Sequence, residues 1–239
     1  MNTQLIKQLN IFGNLAILAQ SQRLGNSLTN RKMKPSQHVG DFIQHTILPL
    51  YLVETGEFKG KGTLEKAQEV ACSNSCAFTV KNGGGCYVNH EIRTAIQTAH
   101  KIYIGDKNNL SKLHITSQHR LTVWGDVGRL NDEGKAYILD LVKGSSSHLA
   151  YTADFHRNDM QVFRGLFMAS CQTEERVKQA LHLGWKVYAS TIKAVNALKG
   201  EIVYRCPVDN DGANVTFGCS TCPIKCNGQK NVSARVKQG

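Results

Sequence analysis

The chain has 239 residues, 41% of them apolar, and carries 29 Lys and Arg against 18 Asp and Glu, a formal charge of +11. That length holds one good core with at most a small appendage, and Val, Ile and Leu spread throughout exclude a disordered chain. So large a basic surplus attracts polyanions, which makes DNA or RNA the expected partner, although the same charge also keeps a protein soluble.

Eight cysteines would fit four disulfides in a secreted chain, so the first residues decide how to read them. Residues 4–20 are apolar but broken by Lys7, Gln8, Asn10 and Asn14. A membrane span needs roughly 18–20 nearly uninterrupted apolar residues, and a signal peptide needs a continuous apolar stretch with a cleavage site. Neither is present, and the segment reads as an amphipathic opening helix. The expectation is a cytoplasmic protein without a membrane partner, with reduced thiols available as metal ligands.

Further along, 25–37 is polar, basic and turn-rich. Residues 42–53 are β-branched and aromatic, with Pro49 opposing one continuous strand. A Gly/Lys loop at 56–63 leads to a short helix capped by Thr63. Ile92, Ala95, Ile96, Ala99 and Ile102 fall on one face of a helix. Residues 120–126 form an apolar strand ending Gly125-Asp126. Residues 131–144 form a helix with capping residues at both ends. Strands follow at 148–155, 164–171, 185–191 and 201–206, the last one expected, with a helix at 173–184.

Strands alternating with helices predict an α/β fold built on a parallel sheet or partial (β/α) barrel. Chemistry in such folds sits at the C-terminal strand ends. Those ends are Gly125-Asp126, Thr152–Asp154, Ser170-Cys171, Ser190-Thr191 and Cys206. The chain divides into an N-terminal helix and loop segment (1–62), an α/β core (63–206) and a Cys-rich metal-binding tail (207–239).

Seven cysteines fall in two groups. Cys72, Cys76 and Cys86 are separated by three and nine residues; Cys206, Cys219, Cys222 and Cys226 by twelve, two and three. Four thiolates saturate a tetrahedral metal, and the CxxC turn suits zinc or an iron–sulfur cluster equally. Three thiolates leave a position open, which a substrate, Cys171 or a histidine such as His90 could fill. The Gly83-Gly84-Gly85 run lets the backbone fold tightly near Cys86. One composite structural zinc site made by both groups is the simpler alternative. Cys171, alone at a strand end, reads as a small core residue. No phosphate-binding glycine motif or nucleophile elbow occurs, and the histidines at 114 and 119 have the wrong spacing for a paired-histidine nuclease.

The CxxxC of Cys72 and Cys76 with Phe78 just after it, and the strand ending in Trp124-Gly125-Asp126, resemble the radical SAM superfamily over roughly residues 64–226. The resemblance implies that the first three cysteines hold an iron–sulfur cluster whose open iron binds S-adenosylmethionine. It further implies that Gly125 and Asp126 receive the amino group and that the last four cysteines hold an auxiliary centre. It departs at Thr79, where the third cysteine belongs; Cys86 comes ten residues after Cys76.

The chain is also similar to a poorly characterised family of cysteine-rich phage and plasmid proteins. The shared features are Gly25-Asn26-Ser27, a CxxxC before a helix, a strand ending Gly-Asp, the Tyr151-Thr152 strand and the terminal four-Cys pattern. Some members carry a replication-associated label. The expected function is an iron–sulfur protein, radical SAM-like if an enzyme. The alternative is a zinc-stabilised nucleic-acid-binding protein without catalysis, its basic surplus concentrated in Arg31, Lys32, Lys34, Lys59, Lys61, Lys225, Lys230, Arg235 and Lys237.

Overall fold

A computed structural model of the chain describes residues 7–21, 42–86, 89–105, 118–206 and 226–233. The chain opens with a hairpin, β1 (Lys7–Phe12) and β2 (Leu15–Ser21), where the sequence predicted a helix. The signal for it is Gly13-Asn14. Gly13 takes φ +62°, and the two residues close a turn that brings Phe12 opposite Leu15. Leu15–Ala19 are all buried because β2 is flanked by a strand on each side and covered on both faces. β3 (Phe42–Pro49) pairs antiparallel with β2. It ends at Pro49, and the chain turns at once into α1 (Leu50–Thr55), tied by Leu50 N–H donating to Asn14 O at 2.8 Å.

Two more helices follow, α2 (Lys61–Ala71) and α3 (Asn89–Tyr103). α2 starts two residues before Thr63, whose hydroxyl instead accepts Lys59 N–H at 3.1 Å. The chain then returns as β4 (Gln118–Trp124), parallel to β3. α4 (Asp132–Gly144) is capped by Asn131, whose side chain accepts Gly134 N–H. β5 (Ser147–Leu149) and β6 (Tyr151–Thr152) are separated by Ala150 alone, and β7 (Met168–Cys171), α5 (Glu174–His182), β8 (Val187–Ala189), α6 (Ile192–Asn196) and β9 (Val203–Arg205) follow.

A strand that the sequence reading lacked, β10 (Asn231–Ser233), inserts between β8 and β9, parallel to both. Residues 201–206 are therefore not the last strand, and the C-terminal segment contributes to a sheet. Three residues are too short for a periodic signal. Asn231 fixes the strand by accepting Val187 N–H at 3.0 Å through its side chain.

The strands form a mixed sheet in the order β1-β2-β3-β4-β5 and an all-parallel sheet in the order β6-β7-β8-β10-β9. The join is at Thr122, the one described non-glycine residue with positive φ (55°). A β-branched residue there is strained, and it is held by its hydroxyl donating to Tyr151 O at 2.8 Å. β4 leaves β5 at this kink. β3, β4 and β5 run parallel side by side in the first sheet and β6, β7 and β8 in the second, and the ends of β4 and β6 meet on one rim through Asp126, Thr152 and Ala153. One face packs on helices through Ala169, Cys171, Val187 and Ala189 against Val177 and Ala180. The opposite face carries a smaller cluster of Leu149, Met168, Cys226 and Val232. The boundary expected at residue 62 falls between β3 and β4, which pair in one sheet.

Candidate thiol and carboxylate site at the strand ends

α2 ends where β4 ends, because Asp126 N–H donates to Ala71 O at 2.7 Å. This carries Cys72 and its loop onto the rim. The loop is stitched locally: Val80 N–H donates to the buried Gln68 side chain at 2.8 Å, and Asn82 Nδ2 donates to Cys76 O at 2.7 Å. Past Asn82 the chain doubles back, with Gly84 N–H on Thr79 O (3.0 Å) and Cys86 N–H on Phe78 O (3.1 Å). Gly84 is required for that return, since a Cβ there would stand 2.3 Å from Ala77 O. At Gly85 a Cβ meets nothing within 4 Å. Cys86 thus comes back beside Phe78, one residue from Thr79.

The three thiols feel one another. Burial pushes the Cys72 thiol well above its ordinary range, and the neighbouring Cys76, Cys86 and Asp126 add to the shift, opposed by an N–H from Gly125. Burial also raises Cys76, against N–H groups from Phe78 and Thr79 that point at its sulfur. Cys72 and Cys76 are therefore neutral near pH 7 without a metal. Among the described residues, no group of three His, Cys, Asp or Glu side chains is placed to hold one ion.

Behind the thiols lie two buried carboxylates. Asp126 accepts Gly128 N–H (2.9 Å) and the Thr152 hydroxyl (2.7 Å) on Oδ1, and Ala153 N–H (2.8 Å) on Oδ2. Burial, then the Asp154 charge, lifts its pKa to about 6 against those three hydrogen bonds. Asp154 accepts the Ser73 hydroxyl on Oδ1 at 2.5 Å, while its buried Oδ2 has no hydrogen-bond partner. Ser73 adjoins Cys72, so this bond ties the cysteine loop to the end of β6. Arg176 of α5 reaches the same place: its Nη2 donates to Ala153 O, its plane lies 4.2 Å from the Phe155 ring centre, and its buried Nε is unpartnered.

The remaining sequence candidates separate. Cys171 is fully buried on the helix-facing side, its thiol donating to Arg176 O at 3.4 Å and pushed up by burial to about 12. It is a core residue. Cys206 and Cys226 come from different segments but both contact the small apolar cluster; Cys206 N–H donates to Ser233 O and Cys226 O accepts Ala150 N–H. Cys219 and Cys222 lie outside the described residues, as do Gly25-Asn26-Ser27 and the basic positions 31, 32, 34, 225, 235 and 237. The sequence reading missed Ser73 and Arg176. A serine beside a cysteine and an arginine in a helix carry no pattern of their own. It also missed the buried pair His45 and His119, whose partners are far apart in the chain.

No family model matches this chain, and no match is found among curated proteins or solved structures. No helix of the described residues is long and apolar enough to cross a membrane.

Proposed function

We propose that this protein binds an iron–sulfur cluster on loop 72–86, with Cys72, Cys76 and Cys86 as protein ligands and S-adenosylmethionine as the small molecule at the open position. The observation that carries this reading is the return of Cys86 onto Phe78 through Gly84. It puts the third thiol next to the position that a compact three-cysteine motif would use. The donor set suits iron in type and number, and the sulfurs would have to draw closer to share a cluster. Such a cluster supplies one-electron transfer. Asp126 already accepts three hydrogen bonds, so the acceptor left for an ammonium group is Asp154 Oδ2.

In this reading the C-terminal group is a second, closed site of Cys206, Cys219, Cys222 and Cys226. It is supported by Cys206 and Cys226 meeting at one apolar cluster. The basic surplus of +11 favours a second reading, a zinc-stabilised nucleic-acid-binding protein of a phage or plasmid. Metal analysis after oxygen-free purification separates the two. The expected result is brown protein with iron and acid-labile sulfide that bleaches on reduction. Colourless protein with stoichiometric zinc overturns the first reading.

A further inference from the structure

A cavity of about 300 Å³ opens on the flank of the rim, between the end of α2 and the 3-10 turn Val127–Arg129. Arg129, Arg157, Glu69, Asn14 and Gly128 are in its wall. The two guanidinium groups are held in the same manner. Arg129 donates through Nε to Val70 O (3.2 Å) and through Nη2 to Glu69 O (3.0 Å), the last carbonyls of α2. Arg157 donates through Nε and Nη2 to the two oxygens of Asp159, at 3.0 and 2.7 Å. Each is therefore fixed along one edge, and among the described residues Nη1 of neither makes a hydrogen bond. Arg157 Nη1 stands 4.0 Å from Asp154 Oδ2, beyond hydrogen-bond reach.

Charge favours an anion here. Asp159 neutralises only part of its surroundings, because it also accepts Lys135 Nζ at 2.6 Å, and those two cations hold its carboxyl down at about 2. Arg129 is braced by carbonyl oxygens rather than by a carboxylate. In the wall itself Glu69 is the acidic residue, and it is exposed. Two guanidinium groups fixed in advance, Arg129 with its Nη1 unused and Arg157 with its Nη1 only in a 4.0 Å ion pair to Asp154 Oδ2, can together meet the several oxygens of a phosphate. The volume is at the small end for a ligand site; it takes a phosphate with an attached sugar.

We propose that this cavity binds the phosphate of a phosphate ester, presented by a free nucleotide or by a nucleic-acid backbone. The inference does not depend on the thiol site. Its test is calorimetric titration of the full chain at low salt with three probes: inorganic phosphate, adenosine 5′-monophosphate and a single-stranded 12-mer. Arg157→Gln should weaken binding about tenfold and Arg129→Gln by a similar factor, while Glu69→Gln should tighten it about threefold. Glu69 is exposed, so its replacement leaves the fold intact even if an arginine variant does not fold. Binding of the mononucleotide with these changes assigns the site to a free nucleotide. Binding of the 12-mer alone, with the same changes, assigns it to a nucleic-acid backbone. If no probe binds, or if affinity ignores both Glu69→Gln and Arg157→Gln, the inference fails.

Discussion

Asp126 and Asp154 stand at the C-terminal ends of β4 and β6, whereas His45 and His119 lie within β3 and β4, two levels of one fold. At the rim the backbone turns away from the sheet, and its released N–H groups point at Asp126. Asp126 takes two backbone donors and a hydroxyl, so a carboxylate survives burial there. Inside the sheet the backbone groups turn to the neighbouring strands, with a register shift between β3 and β4 at His45. The histidines have only each other, His45 Nε2 to His119 Nδ1 at 2.9 Å, and their outer nitrogens are unpartnered. Burial first, and then a neighbouring histidine in each case, lowers His45 to about 3 and His119 to about 4. His119 stands beside His148 of the adjacent β5, itself lowered by burial. Where a titratable pair sits along a parallel strand decides whether the fold can tolerate its charge.

The largest expected effect is acid loss of stability through the histidines. Their folded pKa values lie below the unfolded value of 6.5, so their contribution is complete above about pH 6.5 and is lost as pH falls toward 4 and 3. At roughly 1.4 kcal/mol per unit, the pair costs on the order of 8 kcal/mol between pH 7 and pH 3. Chemical denaturation across that range should show it, and the His45→Leu/His119→Leu double variant should flatten the acid limb. The single variant His45→Leu should lose about 1–3 kcal/mol at pH 7, because His119 is then left without any partner. An unchanged acid limb in the double variant would mean that the pair is not what unfolds the protein. Asp126 works in the opposite direction. Its folded pKa is raised to about 6, so its burial costs stability as pH rises from about 4 through 6. Asp126→Ala should cost about 2–3 kcal/mol by stranding Gly128 N–H, Ala153 N–H and the Thr152 hydroxyl, and it should steepen the acid limb. A shallower limb would reverse the assignment.

How much of this was legible in the sequence follows the same division. The parallel α/β core was legible because α3 and α4 repeat apolar residues at helical spacing and the strands from β4 onward are apolar runs. The opening hairpin was not. Leu15 to Ala19 is buried on both faces, so it shows no alternation and mimics a helix until Gly13-Asn14 is weighed as a turn. Asp126 was legible as a strand-end acid. That its oxygens are already occupied depends on Thr152 and Ala153 of another strand, which spacing cannot reveal. Cys86 seemed misplaced by its ten-residue distance from Cys76, and only the pinch at Gly84 shortens that distance in space.

Gly84 and Gly85 test that pinch at intermediate cost. Gly84→Ala meets Ala77 O and the Phe78 backbone at 2.3–2.7 Å, so the return of Cys86 must open. The protein should stay folded, with a loss of about 1–2 kcal/mol, and anaerobically purified protein should have lost iron. Gly85→Ala, with open space around its Cβ, should keep both. Equal iron content in the two variants would show that Cys86 has no need to sit beside Phe78.

The smallest expected effect joins the two sides of the rim. Ser73 is buried, and its hydroxyl donates to Asp154 Oδ1 while its own oxygen accepts Ser75 N–H at 3.0 Å. Ser73→Ala therefore leaves both Asp154 oxygens without a hydrogen-bond donor and frees Ser75 N–H, which is partly accessible to water. The loop keeps its other ties, at Gln68, Asn82 and Gly84, so the expected loss is about 1 kcal/mol, at the low end for a buried acceptor left unpaired. A double-mutant cycle of Ser73→Ala with Asp154→Ala, read by chemical denaturation, provides the check, and the coupling should be about 1 kcal/mol. Additive losses would show that Ser73 acts through packing alone, and that the cysteine loop is tied to the carboxylates only by its backbone.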